Sequence, residues 1–434
     1  MEKIESKSFK ETYYKEVLPN GLTVYLWRKP GFHISRFFFG TPYGSLDNIQ
    51  VDEAGKLIKF PNGIAHFLEH KMFEDEDLNI MTKYTELGSD VNAYTSYEET
   101  VYYFSTPNKD IRQELNLLLD FVQKLVIDEE AVEKEKGIID QELDMYQEQP
   151  DTRLVLETNK SLFKEYPYRN DIGGTATDVA SINAEMLKEC HALNYHPSRM
   201  ILVGISDQDP EELLKIIKDN QASKHFQKRP ELKRFKYEEP IEVARKRVVI
   251  PMEVNLPKVS VGYKILEVGL NDRELAKKEL AWRIILAAHF TSLNPEYQHW
   301  IDKGIINGYF NFDLDLDNGY GSLIFVGEGQ PEPFLTFIQT EVNKLRLEPL
   351  SAELIEQLKN RNYGIAVSQF DNPDDLGSFF VRLCFNGLEI FDYLSLFSEI
   401  DQNYLQEVLN TTVLPQPSLT IIQKQDDSGT KLGQ

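Results

Sequence analysis

The stretch VNAYTSYEETVYYFSTP, residues 91–107, decides the fold. It is rich in β-branched and aromatic residues, and its turn-like middle makes it either one long strand or a hairpin. The segment that follows, NKDIRQELNLLLDFVQKLV (108–126), places Ile111, Leu115, Leu118, Leu119, Val122 and Leu125 on one face of a helix. Asp128 then opens a second, acidic helix, DEEAVEKEKGIIDQELDMY (128–146). Upstream, GLTVYLWR (21–28) and HISRFFFG (33–40) read as strands, with a helix over 62–73.

The second half repeats this order. KVSVGYKIL (258–266) is a strand, ELAWRIILAAHF (279–290) a helix with an apolar face, and INGYFNFDLDLDNGYGSLIFVGEG (306–329) alternates like a hairpin. PEPFLTFIQTEVNKLRL (331–347) and SAELIEQLKNRNYGIAV (351–367) supply two closing helices. A duplicated α+β unit follows from this order and spacing, not from residue identity. Between the copies, NQASKHFQKRPELKRFKYEEP (220–240) is polar, basic and irregular and reads as a linker, so the domains are expected at 1–219 and 241–434.

Composition narrows the function classes. A chain of 434 residues is too long for one core. A net charge of −23 argues against nucleic acid as the main partner, because phosphate binding needs clustered lysine and arginine. The N-terminus lacks the apolar core of a secretory signal, and no run is long enough to span a membrane. The two cysteines, Cys190 and Cys384, have no metal-type spacing and read as reduced thiols, so a cytoplasmic protein is expected. Neither a P-loop nor a dinucleotide-binding glycine turn is present.

The chemistry is concentrated in NGIAHFLEHKMFEDED, 62–77. On a helix His66 and His70 stack one turn apart and can chelate one ion, while Glu69 borders the same face. Two neutral imidazoles leave a divalent metal Lewis-acidic, and a carboxylate beside it can move a water's proton. This is the zincin arrangement reversed, H-x-x-E-H. A catalytic zinc usually takes a third protein ligand. Glu135 and Glu142 lie two turns apart on the acidic helix, so one can bind the metal while the other supports it.

These residues resemble the pitrilysin/insulinase family of inverted-zincin metallopeptidases, which includes mitochondrial processing peptidase. The match runs in order through GIAHFLEHKMF, VNAYTSYEETVYYF and EKEKGIIDQEL, and YHPSRMILVGISDQDPEEL (195–213) resembles the strand that closes the family's first domain. The resemblance implies that His66, His70 and Glu142 bind Zn2+, that Glu69 is the general base acting on zinc-bound water, and that Glu135 supports the site. It also implies that Asn92, Ala93, Tyr94 and Thr95 form the edge strand on which a substrate peptide pairs. The implied fold is α+β: two homologous domains, each a mixed, mostly antiparallel sheet covered by helices, together forming half of a clamshell round a chamber.

The implied activity is that of an endopeptidase cleaving unstructured peptides. Family members carry an arginine and, seven residues later, a tyrosine in the half that lacks the metal. Here HWIDKGIINGYFNF (299–312) puts Ile301 at the arginine position and Gly308 at the tyrosine position, with Tyr309 one residue off. The chain is therefore expected to be the zinc-bearing subunit of a pair, its partner a homologous chain supplying Arg and Tyr, or else a homodimer. Two alternatives stand beside this. One is a non-catalytic peptide-binding or assembly subunit; the other is a factor associated with peptide maturation or elongation factor P modification. His191 and His196, five residues apart ahead of Pro197, read as ordinary core or surface histidines rather than a second metal site.

Overall fold

The computed structural model describes residues 1–75 and 78–425; Glu76 and Asp77 of the histidine-bearing stretch, and the last nine positions assigned to the second domain, lie outside them. The strands of the first half are β1 (Glu2–Ser6), β2 (Glu11–Val17), β3 (Thr23–Arg28), β4 (Ser35–Thr41), β5 (Ile49–Asp52), β6 (Leu57–Lys59), β7 (Asp90–Thr95), β8 (Thr100–Thr106) and β9 (Ile201–Ser206). Then follow β10 (Leu232–Arg234), β11 (Arg247–Pro251), β12 (Lys258–Lys264), β13 (Asn311–Asp317), β14 (Tyr320–Glu328) and β15 (Ser418–Gln423).

Two sheets share one plan. The larger runs β1-β2-β3-β9-β4-β8-β7, and the smaller runs β11-β15-β12-β14-β13. In the first, β3 pairs parallel with β9, and β9-β4-β8-β7 are antiparallel neighbours. In the second, β11 pairs parallel with β15, and β15-β12-β14-β13 are antiparallel neighbours. The same five-strand order, with the same single parallel pair, occurs twice. The fold is the expected α+β architecture, with mixed, mostly antiparallel sheets. The stretch 91–107 is a hairpin: Thr95 opposes Thr100 at its closing end. β4 and β9 are buried almost throughout because they are central strands covered on both faces.

Compactness divides the chain into two units that do not follow the linear order. One comprises Met1–Leu143, Asp171–Phe235 and Ala366–Phe391; the other comprises Asp144–Asn170, Lys236–Ile365 and Asp392–Gln434. In the first unit the helix Pro373–Phe385 packs on β4 and β9. It lies so close that a Cβ on Gly377 would come within 2.0 Å of the Phe38 ring. In the second unit the helix Pro150–Leu162 packs on β12 and β15. Each sheet is thus covered on one face by a helix from the other half of the chain.

The expected linker at 220–240 is partly regular. The helix Pro210–Ala222 runs into it, and β10 pairs with β5. Near its end, Glu239 accepts the backbone N–H groups of Lys164, Glu165 and Tyr166 and is ion-paired with buried Lys264. No helix among the described residues is long and apolar enough to cross a membrane.

Candidate active site

The histidines sit on the helix Ile64–Lys71. Ile64, Ala65, Phe67, Leu68 and Lys71 face the core, which leaves His66, Glu69 and His70 on the opposite stripe. Gly63 caps this helix with φ +82°, a left-handed conformation that strains any residue with a side chain. A Cβ there would lie 2.2 Å from the carbonyl oxygen of Gly173.

The long helix Glu129–Glu148 lies alongside. It buries Val132, Glu135, Ile139 and Leu143, an inward stripe at helical spacing that brings the glutamates to the histidines.

The three residues expected to ligate a metal converge. One ligand atom each from His66, His70 and Glu142 lie within 4.8 Å of one another, the single such cluster among the described residues. Glu142 Oε1 lies 3.8 Å from His66 Nε2, and its Oε2 lies 3.5 Å from His70 Nε2. Donors about 2.0–2.1 Å from a tetrahedral ion sit about 3.3 Å apart, so this set, within 4.8 Å, holds one by drawing together. Two imidazoles and a carboxylate are donors that suit Zn2+.

Burial, helped by the neighbouring His70, lowers His66 to about 4, so its imidazole is neutral, the ligating form. Burial also works to lower His70, but its hydrogen bond to Glu135 and the carboxylates around it outweigh this and raise it.

Glu135 is not part of the ligand triangle. Its Oε1 accepts from His70 Nδ1 at 3.0 Å, and its Oε2 is paired with Lys71. Burial opposes ionisation of Glu135, and these two partners reverse the effect, leaving its carboxyl below the usual range.

Glu69 points beside the triangle and accepts a hydrogen bond from the Thr95 hydroxyl at 2.8 Å. Burial raises its carboxyl, with Thr95 pulling the other way.

Asn92, Ala93, Tyr94 and Thr95 lie on β7, whose only strand neighbour among the described residues is β8, which makes β7 an edge of the larger sheet. Asn92 is exposed and its side-chain oxygen takes the Ala93 N–H at 2.8 Å. Tyr94 donates to Glu99 at 2.9 Å.

In the other unit, Ile301 sits exposed on the short helix Tyr297–Asp302. Tyr309 donates to Asp151 and its ring lies 3.9 Å under the Lys258 ammonium. His191 and His196 are engaged elsewhere, with Val122 and Ser198. Cys190 and Cys384 are free.

Sequence reading missed Thr95 as a partner of Glu69 and Lys71 as a partner of Glu135. A lysine inside an otherwise apolar stripe, directly after His70, was the available signal for the second.

Comparison with known proteins gives a consistent picture. The family model described as insulinase (peptidase family M16) matches residues 58–176, and that described as the M16 inactive domain matches 181–362. A Bacillus subtilis protein named as an uncharacterized zinc protease is 35% identical over 94% of this chain and 96% of its own length. The β subunit of the mitochondrial-processing peptidase of Saccharomyces cerevisiae is 30% identical over 54% of this chain, which spans 48% of that protein. Among solved structures, an M16-like protein from Alicyclobacillus acidocaldarius superposes with a TM-score of 0.90 at 30% identity, covering 97% of this chain and all of its own. Pitrilysin superposes with a TM-score of 0.75 at 17% identity; 97% of this chain matches 46% of that one, a likeness of fold.

Proposed function

Because the chain belongs to the insulinase family of peptidases, family M16, we propose that it is a zinc-dependent endopeptidase acting on unstructured peptides. The observation that carries this reading is the convergence of His66, His70 and Glu142 beside a half-buried Glu69. When bound to these three residues, zinc would supply Lewis acidity to a peptide carbonyl and to water.

The chain's own residues do the rest. Glu69 takes the proton of the attacking water and returns it to the leaving nitrogen. Glu135 holds His70 through Nδ1 and so keeps Nε2 available for the metal. The open edge of β7 takes the substrate backbone by strand addition, which binds through main-chain hydrogen bonds and tolerates many sequences. Thr95, at the end of that edge, joins the substrate strand to the base.

A partner completes the enzyme in this reading. The position expected to carry an arginine is Ile301, and Tyr309 is committed to Asp151. A relative is named as a subunit, and the chain spans less than half of pitrilysin. The second chain supplies the donors that steady the developing oxyanion. A silent, non-catalytic subunit has less support, since each position of the metal cluster is occupied by a ligating residue.

The test is peptide cleavage by the purified, zinc-quantified chain beside its Glu69→Gln variant, alone and with a homologous arginine-bearing subunit. The reading expects one zinc in both proteins and turnover only with Glu69 present and the second subunit added. Absence of zinc from the unmutated chain would overturn it. Robust turnover by the chain alone would remove the partner from it.

A further inference from the structure

We propose that Lys71 is a positioning residue for the metal site, acting on His70 through Glu135. The inference rests on the metal reading above. Lys71 is the last residue of the histidine-bearing helix and its side chain is 0% exposed. A buried ammonium without acceptors is strongly unfavourable, so its partners define where it can be. They are Glu135 Oε2 at 3.3 Å, the Ala131 carbonyl at 3.1 Å and Glu74.

Two of these three belong to the helix that carries Glu142. A single ammonium therefore stitches the helix bearing His66 and His70 to the helix bearing the third ligand.

The same contact fixes a carboxylate. Glu135 is held at both oxygens: Lys71 takes Oε2, and His70 Nδ1 donates to Oε1 at 3.0 Å. With the proton on Nδ1, the Nε2 lone pair of His70 faces Glu142, 3.5 Å away. Without Lys71 the Glu135 side chain loses the charge that sets its rotamer, and the His70 ring loses its fixed tautomer and tilt. Outer-shell partners of this kind govern metal affinity by orienting the ligand before the ion arrives.

The experiment measures zinc affinity by competition with a chromophoric chelator, and the visible absorption of the cobalt-substituted protein. It uses the unmutated chain, Lys71→Met, Glu135→Gln and the double variant, with thermal unfolding of each metal-free protein recorded in parallel. Lys71→Met is expected to weaken zinc binding about tenfold to a hundredfold and to alter the cobalt spectrum. The double variant is expected to bind no more weakly than Glu135→Gln alone, because Lys71 acts through that carboxylate. Glu74→Ala removes another acceptor of the same ammonium, one that does not touch His70, and is expected to leave zinc affinity unchanged. If Lys71→Met does not fold, Lys71→Gln keeps a donor for Ala131 without the charge and is read the same way.

A Lys71 variant with lowered thermal stability but unmutated zinc affinity and spectrum would overturn the inference. Losses that add in the double variant would do the same. An unmutated chain that binds no zinc would overturn the metal reading itself, a result visible before any variant is compared.

Discussion

The Thr95 hydroxyl donates to Glu69 Oε2 across 2.8 Å, linking the last residue of an open sheet edge to the carboxylate beside the His66, His70 and Glu142 cluster. A peptide added to β7 would run past this hydroxyl, so in the proposed mechanism substrate docking and orientation of the base share one residue. A hydrogen bond to a charged group contributes about 1.5–3 kcal/mol, or roughly tenfold to a hundredfold in rate if the bond is made in the transition state. Thr95→Val is therefore expected to lower kcat by that factor with zinc content unchanged, and Thr95→Ser to restore it. A rise in KM with kcat intact would instead make Thr95 a contact for the peptide alone.

Gly63 starts the histidine helix at φ +82°, against the carbonyl of Gly173. Gly174 mirrors it, at φ +79° with its own Cβ position 2.7 Å from the Asn62 oxygen. The two backbones meet where no side chain fits, one turn from His66. Gly63→Ala carries the left-handed penalty of about 1 kcal/mol plus the cost of pushing the chains apart. A fall of more than about 2 kcal/mol in unfolding free energy is expected from denaturant titration, with weaker zinc binding alongside. A variant as stable as the unmutated chain would show that the 173–174 turn yields easily.

Much of this was legible beforehand, for physical reasons that differ by element. The helix Ile64–Lys71 and its face bearing His66, Glu69 and His70 follow from i, i+3, i+4 spacing, a local property. The 91–107 hairpin follows from two β-rich runs about a turn, although nothing in the run itself separates a hairpin from one long strand. The exchange of helices was not legible. Pro373–Phe385 has an apolar stripe that would serve either sheet, Pro150–Leu162 buries Glu157, Thr158, Asn159 and Ser161 beside Leu154 and Leu162, and only tertiary packing assigns them. β1 and β2 escaped because polar and charged residues interrupt their pattern, as in strands toward a sheet's edge. Contacts such as Thr95 to Glu69 join residues 26 positions apart and have no sequence period to betray them.

Tyr309 tests the absence of a catalytic tyrosine. Its hydroxyl donates to Asp151, which also accepts from Lys258 at 2.8 Å, and the Lys258 ammonium sits on its ring. These contacts are structural, so Tyr309→Phe is expected to cost about 1 kcal/mol of stability and leave kcat unchanged in the proposed two-chain enzyme. Steady-state kinetics beside chemical denaturation separates the two effects. A large loss of kcat at normal stability would return Tyr309 to the reaction and weaken the case for a tyrosine from a partner.

Glu99 gives the chain a pH-dependent stability that is independent of any metal. It is 3% exposed, and burial raises its carboxyl to about 7 against the opposing pull of the Tyr94 hydroxyl and the Arg382 charge. In the unfolded chain it ionises near 4.5. A raised folded value means that the folded state holds the proton more tightly. The stabilisation is full below about pH 4.5 and lost as pH rises through about 7. By the conversion of 1.36 kcal/mol per unit, the loss amounts to about 3 kcal/mol. Glu99→Gln keeps an acceptor for Tyr94 and cannot ionise, so it escapes this loss. Its stability relative to the unmutated chain is expected to grow by about 3 kcal/mol between roughly pH 4 and pH 8, read from urea unfolding at each pH. A difference that stays flat over that range would mean that Glu99 is ionised throughout, paired with Arg382, and that burial does not govern it.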